Sequence, residues 1–346
     1  MRVIDRAEPT RSSHRLITGL GGLAFATLGL ETAILSFAVL GVRAEWGLSP
    51  KGVALILAAP GVGQLLGAGL LGALSDRLGR RAMYCLSVGL LAGFSALGAL
   101  APSPVVLAVL LALGGLGQGG ASPVVVAMVA EAAPIASRGR MVAITELMWA
   151  TGFTAAAVLG QPLAHGASWR LLVAAGGLPL LLVPLGAWLL TPAHSHGAGS
   201  AASEPSAPIG VATLWSAQWR RATIVLSLLW LTMFGVFYGP VLWLPTLFAT
   251  ANLVDPARKG VYVAIGVLAG ASAVVLVIDR VGRRPLLILA CAAMALACGV
   301  LALAGGELQL VGGGIALGFI LQFVFPVSLT YSAEMFATPV RGLGVG

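Results

Sequence analysis

Charged side chains are scarce here: they make up 9% of the 346 residues, against about a quarter in an ordinary soluble domain. With 58% hydrophobic residues and a mean hydropathy of +0.98, that scarcity excludes a water-soluble domain and indicates an integral membrane protein. Cysteine is also sparse. Cys85, Cys291 and Cys298 fall inside apolar runs without metal-ligand spacing, so they read as buried thiols. His194 and His196 stand close together, but in a Pro/Gly/Ser-rich stretch with no further ligand, so no metal is expected. No G-x-x-x-x-G-K-[S/T] loop, H-E-x-x-H pair or Ser/His/Asp constellation is present. An ATP-driven pump and a membrane enzyme are therefore not expected, and no cofactor is implied. The formal charge of +8 does not point to nucleic acid, because the arginines lie in short loops between apolar runs.

A bilayer-crossing helix needs about 20 mostly apolar residues. Such runs lie near residues 16–41, 52–74, 82–101, 104–130, 141–161, 171–190, 222–249, 261–278, 286–304 and 309–330. The first follows four arginines, but it is too long for a signal peptide and lacks a small-residue cleavage site, so it reads as a retained helix. With the N-terminus placed in the cytoplasm, the inside segments hold fifteen arginines and the outside segments five arginines and lysines. This distribution satisfies the positive-inside rule. The forty-seven glycines suit close helix packing in a membrane. The segment TPAHSHGAGSAASEPSAPIG, from Thr191 to Gly210, reads as a flexible linker.

Two motifs recur at one displacement. Asp76-Arg77-Leu78-Gly79-Arg80-Arg81 returns 203 residues later as Asp279-Arg280-Val281-Gly282-Arg283-Arg284. Glu131, with Arg138-Gly139 seven residues on, returns at the same displacement as Glu334 with Arg341-Gly342. Two matches in one register indicate a tandem duplication. Residues 1–190 are then a six-helix bundle, 191–221 a central cytoplasmic linker, and 222–346 a four-helix bundle, with the partners of spans five and six (spans eleven and twelve) expected to be missing.

Gly72-x-Leu74-Ser75-Asp76-Arg77-x-Gly79-Arg80-Arg81, directly after the second apolar run, resembles the signature loop of the major facilitator superfamily. The echo at Asp279 and the Glu-x6-Arg-Gly loops are similar to the branch holding sugar porters and organic-ion transporters. Leu35-Ser36-Phe37, Glu45-Trp46-x-Leu48-Ser49, Glu146-Leu147-x-Trp149, Tyr238-Gly239 and Trp243-Leu244-Pro245 resemble the bacterial niacin-transporter-like, or SV2-like, metabolite:proton symporters. The resemblance implies an all-α membrane protein of two pseudo-symmetric bundles in the plasma membrane. It implies alternating-access transport of a small organic solute (an organic acid, an aromatic or heterocyclic metabolite, or a sugar-like compound) by proton symport, the carrier acting as a monomer. Efflux by antiport, or a truncated product without transport, are the alternatives. Two positions depart from that pattern. Leu28 stands where relatives often carry the first of two acidic residues in span one, and Ala121 where one precedes the span-four proline.

The resemblance also implies that Asp76, Arg80, Glu131 and Arg138 form a charge cluster that holds the cytoplasmic gate closed. With span eleven absent, that gate is expected to be lopsided. Arg77, Arg81, Arg280, Arg283, Arg284 and Arg341 belong to the same gate motifs, with Gly72, Gly79, Gly282, Asp279 and Glu334. Their alternative role is as topology determinants only.

Charges within a bilayer cost at least about 2.5–3.5 kcal/mol at a helix centre, so each is a functional candidate. Glu31 lies mid-span one with no basic residue in that span's interior. A carboxyl desolvated without a cation can load and release protons, which makes Glu31 the proton-coupling candidate. The alternative is a protonated carboxyl hydrogen-bonded within the bundle. Glu146 is the second candidate, although a structural pair with Arg138 or Arg140 also fits it. Gln64, Gln118, Trp149, Gln161, Tyr238, Trp243 and Gln322 are cavity candidates, because an amide facing lipid would go unsatisfied and aromatic faces suit a ring-bearing ligand. Phe323 and Phe325 read as packing. With no embedded arginine or histidine expected, the cavity suits neutral or cationic metabolites better than carboxylates.

Overall fold

Residues 11–132, 138–162, 169–190, 211–278 and 280–336 are described by a computed structural model. Among them every regular element is helical, and ten stretches are long and apolar enough to cross a membrane. The first five are α1 (Arg11–Trp46), α2 (Pro50–Leu78), α3 (Arg80–Gly98), α4 (Pro104–Ala132) and α5 (Arg138–Gly160). The sixth span combines α6 (Trp169–Ala175), a 3-10 turn at Leu178–Leu181 and α7 (Leu182–Leu189). The seventh joins α8 (Arg220–Val236) and α9 (Leu242–Thr250) through a π-helical segment, Phe237–Val241. Then follow α10 (Pro256–Val277), α11 (Arg283–Ala302) and α12 (Glu307–Met335).

The ten expected spans are all present. Two differences have local causes. Span six breaks at Gly176-Gly177, where the backbone turns to i→i−3 bonds: Gly176 N–H donates to Val173 O (3.0 Å) and Gly177 N–H to Ala174 O (2.9 Å). In span seven Pro240 lacks an N–H and would crowd an α-helical carbonyl. The chain widens there, so that Leu242 N–H reaches back to Phe237 O. Part of the segment read as linker also has structure. Val211–Trp215 forms a 3-10 turn, and Leu214 packs with Ala222, Leu226 and Phe336. The remainder of that linker, 191–210, lies outside the described residues.

Glycine sets the tightest helix contacts. On α2, Gly63 and Gly67 lie against the backbone carbonyls of Ala112 and Leu116; on α4, Gly115 and Gly119 lie against those of Pro60 and Gln64. Each pair is four residues apart, so one face of each helix is smooth and the backbones touch, as in small-residue membrane contacts. α1 and α5 meet similarly at Gly29 and Gly152, and α10 and α12 at Gly270.

Three apolar clusters fill the interior. One lies around the first half of α1 with α3 and α4, and a second around α8, α10, α11 and α12. A third joins α1, α5 and α6 to Leu242, Ala264, Val267 and Ala271, so it crosses from the first six spans to the last four. Trp149 packs against all three. The end of the helices at the α2–α3 turn is called the motif end below. The opposite end holds the α1–α2, α3–α4 and α9–α10 turns.

Candidate functional site

The site is built where α1, α2, α3, α4 and the π segment converge on a small cavity of about 30 Å³. Glu31, Thr32, Gln64, Ser95, Gln118 and Tyr238 supply its polar lining; the remainder is aliphatic, proline or glycine. Among the described residues no arginine, lysine or histidine lines it. Gly115 and Gly119 place α4 against Pro60 and Gln64 of α2, which sets the narrow side of the chamber.

Glu31 is 9% exposed. Its Oε2 accepts a hydrogen bond from Ser95 Oγ on α3 (2.9 Å), while its Oε1 is buried with no hydrogen-bond partner. A methyl group on Gly176, at the break in span six, would collide with Ser95 Oγ and Glu31 Oε1, so that backbone lies directly against the carboxyl. The next residue of α1, Thr32, donates to Leu28 O (2.8 Å) and accepts from Gln118 Nε2 (3.2 Å). Leu28, which stands at the departure from the acidic pattern, is fully buried in the core, and among the described residues Glu31 is the one carboxyl lining the chamber. Ala121, the other departure, is fully buried as well.

Across the chamber Tyr238 donates to Gln64 Oε1 (2.9 Å) and thereby ties the π segment to α2. Two further hydroxyls join the first six spans to the last four, both toward the end opposite the motifs. Ser36 donates to Leu242 O (2.8 Å) and Thr154 to Ala264 O (2.9 Å). Phe37 and Pro245 both lie against Gly260 beside them. The chamber is thus closed on that side by helix contacts.

The structure brings together Glu31, Gln64, Gln118 and Tyr238 from the expected set. The other candidates stand apart from this chamber. Glu146 faces Gln322 of α12, whose Nε2 approaches Glu146 Oε2 at 3.5 Å, a contact between the two groups of spans; Arg140 is exposed. Trp149 stacks on Phe153 and meets Phe237 edge-on, Trp243 packs in the shared cluster, and Gln161 sits just past α5. Phe325 joins a ring cluster with Trp230, Phe234 and Phe237, and Phe323 stacks on Phe319. Ser95, Thr32 and Gly176 are site residues that the sequence reading passed over. The available signal was a serine inside span three and a Gly-Gly pair inside span six.

The gate motifs are partly visible. Gly72 lies within α2, as do the backbones of Asp76 and Arg77; the side chains of Asp76, Arg77, Glu131, Arg138 and Glu334 lie outside the described residues, as do Asp279 and Arg341 entirely. Gly79 has φ 83°, a left-handed conformation that explains glycine in the tight α2–α3 turn. Its repeat, Gly282, has φ −58° and carries no such demand. Arg81 donates to Ala187 O and so ties this turn to the end of span six. Arg80 and Arg283 each make an interaction as well, and Arg280 and Arg284 follow in the equivalent turn.

At the opposite end Arg170 makes a more elaborate junction than a topology signal requires. It pairs with Glu45 (2.7 Å) and donates to Ala99 O and Ala101 O (3.0 Å each). It also lies over the rings of Trp169 and Trp46, while Trp169 Nε1 donates to Glu45 (2.6 Å). The start of span six is thereby fastened to α1 and to the α3–α4 turn.

Known proteins resemble this chain in sequence and in fold. The sequence model described as Major Facilitator Superfamily matches residues 20–346. The chain is 26% identical over 378 residues to the niacin transporter NiaP of Acinetobacter baylyi, covering 100% of this chain and 86% of that protein. It is 32% identical over 308 residues to a gallate transporter of Pseudomonas putida, covering 76% of this chain and 65% of the other. Among solved structures, the crystal structure of D-xylose-proton symporter superposes with a TM-score of 0.70 at 21% identity, covering 96% of this chain and 85% of that one.

Proposed function

The chain belongs to the Major Facilitator Superfamily, a family of membrane transporters rather than enzymes, and from that premise we propose that it is a proton symporter for a small, ring-bearing, neutral or cationic metabolite. In this reading residues 1–190 and 222–346 are two bundles that rock about the central chamber, joined by the cytoplasmic segment 191–221. The arginine-rich motif end faces the cytoplasm of a cell whose plasma membrane holds the protein as a monomer. Glu31 is the proton-coupling residue, with Gln64, Gln118 and Tyr238 around the solute.

One observation carries the reading: among the described residues, a buried carboxyl with one unpartnered oxygen lines a chamber that no cationic side chain lines. Such a group takes a proton or a donor from a solute, and it opposes a carboxylate anion. Relatives named for niacin and gallate support a ring-sized solute. The amides and the phenol supply hydrogen-bonding edges of both kinds, and Tyr238 adds an aromatic face.

The test is uptake by proteoliposomes under an imposed inward proton gradient, with radiolabelled nicotinamide, nicotinate and gallate as probes and a wider panel of ring-bearing amides and amines as competitors. Accumulation of a neutral or cationic probe, abolished by a protonophore, is expected. Gradient-independent equilibration, or accumulation of carboxylates alone, would overturn the proposal.

A further inference from the structure

Ser95 stands between two acceptors and has one proton to give. Its hydroxyl lies 2.9 Å from Glu31 Oε2 and 3.2 Å from Val173 O, and it is buried. An ionised Glu31 accepts the Ser95 proton. A protonated Glu31 has its own O–H to donate, and Ser95 Oγ is the acceptor in place. The Ser95 hydrogen is then released to Val173 O. That carbonyl already receives Gly176 N–H (3.0 Å) at the break in span six, and Gly176 lies against both Glu31 Oε1 and Ser95 Oγ.

We infer that Ser95 is a relay: loading a proton on Glu31 turns the Ser95 hydroxyl from the carboxyl to Val173 and fastens the break of span six to α3. The inference rests on the reading of Glu31 as the proton site and names the part of the fold that senses it. The step is balanced. Glu31 gains one proton from water and loses one negative charge, the Ser95–Glu31 hydrogen bond reverses direction, the freed Ser95 hydrogen makes one new bond to Val173 O, and no covalent bond changes elsewhere. Other groups around Glu31 do not duplicate this. Gln118 on α4 bonds Thr32, Gln64 on α2 bonds Tyr238, and among the described residues Tyr238 is the only other titratable side chain lining the chamber. Ser95 is a positioning residue, acting through Glu31 and Val173.

The test needs no solute. Hydrogen–deuterium exchange of the peptide spanning 172–182 is followed in nanodisc-embedded full-length protein at two pH values, corrected for intrinsic exchange, with Glu31 protonation read from its infrared carboxyl band. The wild type is expected to exchange more slowly at Gly176 and Gly177 when Glu31 is protonated, by about fivefold for one net hydrogen bond. Glu31→Gln, whose amide also donates to Ser95, holds the slow pattern at both pH values. Ser95→Ala shows the fast pattern at both, and Ser95→Thr, which keeps the donor, restores the difference. A Ser95→Ala protein that retains the wild-type pH difference overturns the relay, as does a wild type without one. A pH difference that survives in Glu31→Gln overturns the reading of Glu31 itself.

Discussion

Replacing glycine by alanine along α2 should produce opposite effects within two turns of one helix. At Gly63 an added methyl would collide with the carbonyl oxygen of Ala112 and come to 2.8 Å from its carbonyl carbon and from Leu116 N. At Gly67 the same methyl would meet Leu116 O and come to 2.8 Å from its carbonyl carbon. These are backbone atoms of α4, so no rotamer change relieves the overlap and the helices must separate. Overpacking of this kind costs about 1–3 kcal/mol, while alanine recovers roughly 0.5–1 kcal/mol of helix propensity. The net is a loss of up to about 2.5 kcal/mol, or a few degrees in melting temperature. At Gly61 and Gly69 a methyl meets nothing within 4 Å, so only the propensity gain remains. Melting of the four purified variants, followed by tryptophan fluorescence in one detergent, gives the comparison. Gly63→Ala and Gly67→Ala should melt below the wild type, and Gly61→Ala and Gly69→Ala at or above it. Equal melting of all four would refute the assigned α2–α4 contact.

Other variants probe the remaining junctions. Tyr238→Phe removes the bond to Gln64 and should weaken solute binding several-fold, about 1 kcal/mol, with little change in melting; a binding curve equal to the wild type contradicts a place for this pair in the site. Ser36→Ala should shift the balance toward the state open at the end opposite the motifs by up to about tenfold, read as faster labelling of a cysteine introduced in the chamber. Arg170→Lys cannot hold Glu45, Ala99 O and Ala101 O together, because lysine is a point donor rather than a fork. Since the Glu45–Arg170 pair is itself partly exposed and worth little, the expected loss of about 1 kcal/mol comes from the carbonyl bonds, and unchanged melting would contradict it.

What was legible in the sequence followed from hydropathy and repetition. Ten spans, the motif turns and the single mid-membrane carboxyl of span one could all be read from apolar run length and the 203-residue echo. Side-chain direction could not. Trp149 and Trp243 satisfy the same compositional rule as Tyr238, yet the π segment and α2 direct only Tyr238 into the chamber. Glu146 and Gln322 were each legible as embedded polar groups, but their approach joins residues 176 apart in the chain. Ser95 was hidden because serine in a membrane helix usually bonds its own preceding turn, as Thr27, Thr151 and Ser272 do here. Only the packing of α3 against α1 and span six gives it other acceptors. The Arg170 junction was not legible, since charge counting carries no geometry.

The central claim is that Glu31 couples solute movement to protons. Its most direct measurement compares wild type with Glu31→Gln in proteoliposomes, once for accumulation under an inward proton gradient and once for exchange of labelled against unlabelled solute at uniform pH. The account predicts that the variant keeps exchange, because the chamber and the inter-bundle contacts survive, and loses accumulation above equilibrium. A Glu31→Gln protein that still concentrates solute against its gradient under the proton gradient would contradict it.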